Sequence, residues 1–234
     1  MTEHRPIIVV TGGNRGIGFE ICRQLASRGA QVVLTARKPD AGQEAVKQLA
    51  AQNLSVQLHP LDTTRAESIA ALCEFLEQSF GHLDALVNNA GIITKEEASG
   101  LEVKLAAVRE TLETNTLAPL NLSQALVPLL KRSKAGRIVN ISSGMGQLSD
   151  MEGGYAAYRI SKTALNAVTA ILAAELRGAV AVNAVCPGWV KTDMGGKNAE
   201  REVSQGAAGA VWLALNAPQD FTGNFTRDGK VIPW

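Results

Sequence analysis

Short runs of β-branched and aliphatic residues recur along the chain, each followed by a longer stretch with helical spacing. This alternation restricts the fold more than any other feature. Ile7-Ile8-Val9-Val10 is the first run. It has no polar alternate, so a strand here must be covered on both faces rather than one. Further runs stand at residues 31–35, 55–59, 85–87, 137–141 and 181–185, with a short one around Phe225. Between them the spacing predicts helices over 16–27, 41–51, 66–79, 101–113, 117–131, 156–176 and 202–215. Buried strands separated by helices form a parallel sheet, and right-handed crossovers wind it both ways. The expected fold is a single α/β domain over residues 1–234, a doubly wound Rossmann sheet with helices on both faces.

Composition narrows the function classes. Hydrophobic residues make up 46% and charged residues 19%, too apolar for a disordered chain or a coiled coil. Lys and Arg number 23 against 22 Asp and Glu, a net charge of +1. No strong field exists to attract nucleic acid or an anionic membrane. The apolar run at Ile7–Val10 is too short for a signal segment or a membrane span. Cys22, Cys73 and Cys186 are widely spaced, with no C-x-x-C and only three histidines. That argues against a disulfide framework and against a metal site, and the expected location is cytoplasmic.

Thr11-Gly12-Gly13-Asn14-Arg15-Gly16-Ile17-Gly18 lies between the first strand and the first helix. The order strand, Gly-rich turn, helix is the context in which such a loop cradles a pyrophosphate. A dinucleotide is therefore expected. The second strand ends Thr35-Ala36-Arg37-Lys38, where an NAD site would place a carboxylate for the ribose 2′-hydroxyl. Arg37 can instead fork onto a 2′-phosphate, with Arg15 closing from the other side. NADP(H) is the expected cofactor.

Tyr158 and Lys162 stand four apart and share a helix face. A cation near a phenol favours the phenolate and fits it for proton exchange with an alcohol or carbonyl. Ser142-Ser143 follows the fifth strand and Asn88-Asn89-Ala90-Gly91 the fourth. Asn115 separates two helical stretches, and Pro187-Gly188 follows the sixth strand with Thr192 shortly after. In a doubly wound sheet these are the carboxyl ends, where ligands bind.

With these motifs in place over essentially its whole length, the chain resembles the short-chain dehydrogenase/reductase family. Thr11-Gly12-Gly13-Asn14-Arg15-Gly16 and Cys186-Pro187-Gly188-Trp189-Val190-Lys191-Thr192-Asp193-Met194 look most like the NADPH-dependent carbonyl reductases. The resemblance implies that Tyr158 is the general acid in reduction. It implies that Lys162 binds the nicotinamide ribose and lowers the Tyr158 pKa, and that Ser143, rather than Ser142, holds the carbonyl oxygen. Asn115 would hold a water of a proton relay. Cofactor contacts are implied for Gly12, Asn14, Arg15, Gly16, Ile17, Gly18, Arg37, Asp62, Asn89, Ala90, Gly91, Tyr158, Lys162, Pro187, Gly188, Val190 and Thr192. Among these, Asp62 would touch adenine, Asn89 the adenosine ribose and Thr192 the carboxamide.

The expected activity is reduction of a hydrophobic ketone or aldehyde, with Met145, Leu148, Tyr155, Trp189, Met194 and Trp234 as candidate pocket residues. Alternatives are a 3-oxoacyl-carrier-protein-type reductase and a non-catalytic NADP sensor. One departure is clear: monomeric carbonyl reductases carry a long insertion between the catalytic serine and tyrosine, whereas Ser143 and Tyr158 here are fifteen positions apart. Helices 117–130 and 156–176 read as apolar around most of their circumference. Without that insertion their outer faces need another cover, so a homodimer or homotetramer is expected.

Overall fold

The computed structural model describes residues 5–234, so the first four residues of the expected domain lie outside the described residues. Eight strands form one sheet in the order β3-β2-β1-β4-β5-β6-β7-β8. The strands are β1 Ile7–Val10, β2 Gln31–Ala36, β3 Val56–Pro60, β4 Ala85–Asn88, β5 Gly136–Ile141, β6 Val180–Val185, β7 Phe225–Arg227 and β8 Lys230–Val231. The first seven are mutually parallel; β8 turns back antiparallel on β7, a short addition that the sequence pattern does not announce.

Both faces are covered, as the continuous apolar runs require. Ile8 and Val10 of β1 enter one core, with Ile21 and Leu25 of helix α1 (Gly16–Ser27) and Val211 of α7 (Val203–Leu215). Ile7 and Val9 enter the other, with Leu72 of α3 (Ala66–Phe80), Leu126 of α5 (Ala118–Leu130) and Leu172 of α6 (Ala156–Glu175). Alternate residues of one strand thus face opposite cores. Helix α2 (Pro39–Ala50) packs Ala45 and Leu49 into the first core.

One helical expectation needs correction. Residues 101–104 are not helical, and α4 runs Leu105–Leu112. Leu101 is 99% exposed, so it offers no apolar anchor for an earlier start. Asn115 does lie between two helical stretches, and the chain stays helical there: Glu113–Leu117 is a π-helical turn joining α4 to α5. The inserted residue of such a turn re-aims a side chain, a device common at functional sites.

From β1 the chain winds outward through β2 to β3, then returns to lay β4 on the other side of β1. Neighbouring connections therefore diverge at the carboxyl ends of β1 and β4, which opens a crevice there. Among the described residues, no helix is long and apolar enough to cross a membrane.

Candidate active site

A cleft of about 1290 Å³ runs along these carboxyl ends, larger than the ~300–1,000 Å³ of a drug-sized pocket. At one end is the glycine-rich loop. Gly12 and Gly16 have φ of +63° and +55°, which only a residue lacking Cβ adopts readily. A Cβ on Gly18 would collide with Gly12 O and Asn89 Nδ2, so its absence lets α1 close on the loop. Asn89 donates from Nδ2 to Thr11 O (2.8 Å) and Gly12 O (3.2 Å). Thr11 Oγ1 accepts from the Asn89 and Ala90 amides, each at 2.9 Å. The loop is thereby tied to the end of β4. Asn89 spends its amide on the loop itself, a structural task that its motif does not reveal.

Helix α1 has no side-chain cap and no acidic residue in its first turn. Its free N–H groups and partial positive charge are open to a phosphate. Arg37 follows β2 beside Asp62; Arg37 and Arg65 help hold the Asp62 carboxyl below its ordinary range, after the larger effect of its hydrogen bond from Thr64. Arg15, expected to face the same phosphate, pairs instead with Asp193 at 2.8 Å across the cleft mouth. Thr192 approaches Gly16 from that opposite side. Val190 is buried beneath, and Pro187 and Gly188 line the wall.

At the other end stand Ser143, Tyr158 and Lys162. Ser142 is buried and donates to Asn166 Oδ1 at 2.6 Å, whereas Ser143 Oγ accepts the Met145 N–H at 3.2 Å and its hydroxyl lies near enough to the Tyr158 phenol to lower its pKa. The Ser142 hydroxyl is thus spent inside the protein, although both serines border the cleft. Lys162 Nζ lies 5.7 Å from the Tyr158 ring centroid and donates to Ile141 O at 2.8 Å. Asn115 donates to Ile92 O (2.9 Å) and Ser161 Oγ (3.0 Å) and accepts from Ile92 N (2.8 Å). The π-turn, β4's end and α6 meet on this one amide.

Burial dominates the electrostatics. It pushes the Tyr158 phenol up to about 12, opposed by the Ser143 hydrogen bond and reinforced by Cys186 and Glu97. Burial also pulls the Lys162 ammonium down to about 8. The expected lowering of the Tyr158 pKa by Lys162 is absent, because desolvation outweighs the other influences and the ammonium is bonded to Ile141 O.

This has a consequence for stability. Below pH 8 the folded protein holds a buried charge; from about 8 to 10.5 it has released a proton that the unfolded chain keeps, so stability rises with pH through that window. Lys162→Met should therefore stabilise the protein at pH 7 by roughly 1–3 kcal/mol, with the gain fading towards pH 10. Urea unfolding at both pH values measures it; a variant weaker than the parent at pH 7 rules the argument out.

Sequence reasoning missed three neighbours. Glu97 accepts the Tyr158 backbone N–H at 2.9 Å. Cys186 Sγ accepts from Gly144 N (3.1 Å), Gly188 N (3.4 Å) and Arg227 Nη2 (3.1 Å). Glu97 and Arg227 lie outside every motif, and only tertiary packing brings them to the site. Of the pocket candidates, Met145, Tyr155, Trp189 and Met194 line the cleft. Leu148 does not, and Trp234 stacks on Phe225 with ring centroids 5.5 Å apart.

The sheet, the loop and the Ser-Tyr-Lys cluster together define a dinucleotide-dependent oxidoreductase site. The short chain dehydrogenase family model matches residues 6–203, and the chain belongs to that family. It is 39% identical to (+)-neomenthol dehydrogenase of Arabidopsis thaliana, over 94% of this chain and 95% of the relative. It is 35% identical to carbonyl reductase [NADPH] 1 of Sus scrofa over 100% of this chain and 96% of the relative. That alignment spans 283 positions against the 234 residues of this chain, so the relative carries segments absent here. Among solved structures, the NADPH-bound carbonyl reductase from chicken fatty liver superposes with a TM-score of 0.89 at 32% identity, covering 99% of this chain and 100% of that one.

Proposed function

We propose that the protein is an NADPH-dependent carbonyl reductase acting on ketones or aldehydes. The observation that carries this reading is the gathering of Ser143, Tyr158 and Lys162, the lysine Nζ 5.7 Å from the Tyr158 ring centroid, at one end of a cleft whose other end is the glycine-rich loop. The fit to a dinucleotide rests on the positive-φ glycines, the bare Gly18 Cα and the uncapped, acid-free start of α1. Gly12, Asn14, Arg15, Gly16, Ile17 and Gly18 would hold the pyrophosphate, Arg37 the 2′-phosphate, and Asp62, Ala90 and Gly91 the adenosine half. Pro187, Gly188, Val190 and Thr192 would flank the nicotinamide. Asn89 would act through the loop it ties down.

When bound, the nicotinamide supplies a hydride to the carbonyl carbon. Ser143 Oγ orients the carbonyl oxygen and stabilises the negative charge that grows there. Tyr158 hands its hydroxyl proton to that oxygen. Lys162 holds the ribose and returns the proton to Tyr158. A Cβ at Gly91 would lie 3.2 Å from Asn115 Oδ1 and 3.6 Å from Lys162 Nζ. The missing Cβ lets the chain pass close to both groups, and Asn115 would hold the relay water. NADPH oxidation with a panel of ketones, aldehydes and quinones tests the reading. NADPH binding without turnover of any of them would replace it with a non-catalytic role.

The proposal extends to a homodimer through α6. Its outward stripe is Ile160, Ala167, Ala170, Ile171 and Ala174, an apolar strip with no cover in the protomer. Helix α5 adds less than expected: Leu117 and Pro128 are exposed, but Asn121 and Gln124 lie between them, and Leu122, Leu126, Leu129 and Leu130 are buried. Two α6 stripes meeting about a two-fold axis would bury both. Light scattering behind a sizing column should give twice 24.7 kDa, and Ile171→Glu should shift the mass to that of one chain. A wild-type mass of one chain refutes the dimer. A cytoplasmic location is part of the same reading, supported by three cysteines that are all free.

A further inference from the structure

Seven cationic side chains line the cleft, and six are accounted for. Arg15 pairs with Asp193, Arg159 with Glu152, Lys191 with Glu202 and Arg201 with Asp228. Lys162 donates to Ile141 O, and Arg37 stands beside Asp62 at the far end. The seventh, Arg227 at the end of β7, makes no ion pair among the described residues. Its Nη2 donates to Cys186 Sγ at 3.1 Å, and its Nε is buried with no acceptor. Asp228, next in the chain, has both oxygens on the Arg201 guanidinium, at 2.8 and 2.5 Å.

The placement of this guanidinium is specific. Gly144, the residue after Ser143, donates its N–H to the same Cys186 sulfur at 3.1 Å. A Cβ on Gly144 would collide with Arg227 Nη2, so the glycine makes room for the guanidinium beside the serine. Arg227 therefore presents charge next to the carbonyl-holding end of the cleft, away from the phosphate loop. Buried donors without acceptors are unfavourable, and a charged one more so. The acceptor that matches a guanidinium fork is a carboxylate. Met145, Tyr155, Trp189 and Met194 supply apolar surface to the same cleft.

We propose that Arg227 is an anion-binding, specificity-determining residue of the substrate pocket, and that the preferred substrates are carbonyl compounds with an apolar body and a carboxylate. This rests on the carbonyl-reductase reading above, and its test separates the two. Wild type and Arg227→Gln are assayed with 4-formylbenzoate and its methyl ester, and with phenylglyoxylate and its methyl ester, which place the carboxylate at two spacings. At one spacing or both, the acid-to-ester ratio of kcat/KM should fall at least ten-fold in Arg227→Gln, chiefly through KM of the acid. Arg227→Lys, which keeps charge but not the fork, should restore part of it. A smaller fall at both spacings overturns the proposal.

Binding gives a readout independent of turnover. Benzoate titrated calorimetrically into the NADP-loaded protein should bind wild type at least ten-fold more tightly than Arg227→Gln; equal binding overturns the proposal. Benzoate binding that depends on Arg227, in a protein that reduces neither these four compounds nor any ketone, aldehyde or quinone of the wider panel, would overturn the reductase reading and leave the anion site standing.

Discussion

Tyr158→Phe should lower kcat for carbonyl reduction by roughly a thousand-fold, within the ~10²–10⁴ that a positioned general acid contributes. The substitution removes one oxygen from a buried ring and leaves α6 unchanged. Nothing else at the site replaces it. Ser143 Oγ accepts the Met145 N–H, and Lys162 Nζ donates to Ile141 O. The other nearby tyrosine, Tyr155, precedes α6 with φ of +48° and is half exposed. The groups proposed to hold the pyrophosphate and adenosine lie at the far end of the cleft. NADPH affinity should therefore be retained while turnover is lost, which stopped-flow kinetics and fluorescence titration can measure on the same preparation. Retention of a tenth of the activity would show that the proton comes from elsewhere.

Arg37→Asp should raise KM for NADPH by roughly a hundred-fold and leave that for NADH much less affected. The loss reflects charge-assisted hydrogen bonds worth ~1.5–3 kcal/mol, with a like charge placed against the phosphate in their stead. Arg37 carries this effect more than Arg15 does. Arg15 is tied to Asp193 and must leave that pair to reach a phosphate, although both partners are largely exposed and such pairs hold weakly. The unmodified protein should favour NADPH strongly. Equal kcat/KM with both cofactors, or an Arg37→Asp protein with the wild-type ratio, would remove Arg37 from the 2′-phosphate site.

What was legible in the chain follows from local physics. A run such as Ile7–Val10, bounded by a Gly-rich turn, reads as a strand buried on both faces, so the order of the helices and of the first seven strands could be read directly, to within a few residues except at the start of α4; β8 carries no such run. Positive-φ glycines, a phenol and ammonium four apart on a helix, and serines at a strand end each carry their chemistry in a few adjacent residues. Ser143 could be preferred to Ser142 only by resemblance. The structure supplies the physical reason, because Asn166, twenty-three residues beyond Ser143, takes the Ser142 hydroxyl.

The sequence alone carried the order of the helices and of the first seven strands, the loop motif and the candidate Ser-Tyr-Lys residues, because each depends on neighbours in the chain or on one helical turn. Only the tertiary structure decided the electrostatics and the shape of the pocket. It set burial against the Lys162 charge, so that the phenol is raised and not lowered. It turned Asn115 into a π-turn hub and sent the Asn89 amide to the loop. It brought Glu97 to Tyr158 across 61 positions and Arg227 to Cys186 across 41. Desolvation and hydrogen-bond partnership depend on which groups are adjacent in space. For residues that far apart in sequence, no periodicity or spacing records that adjacency.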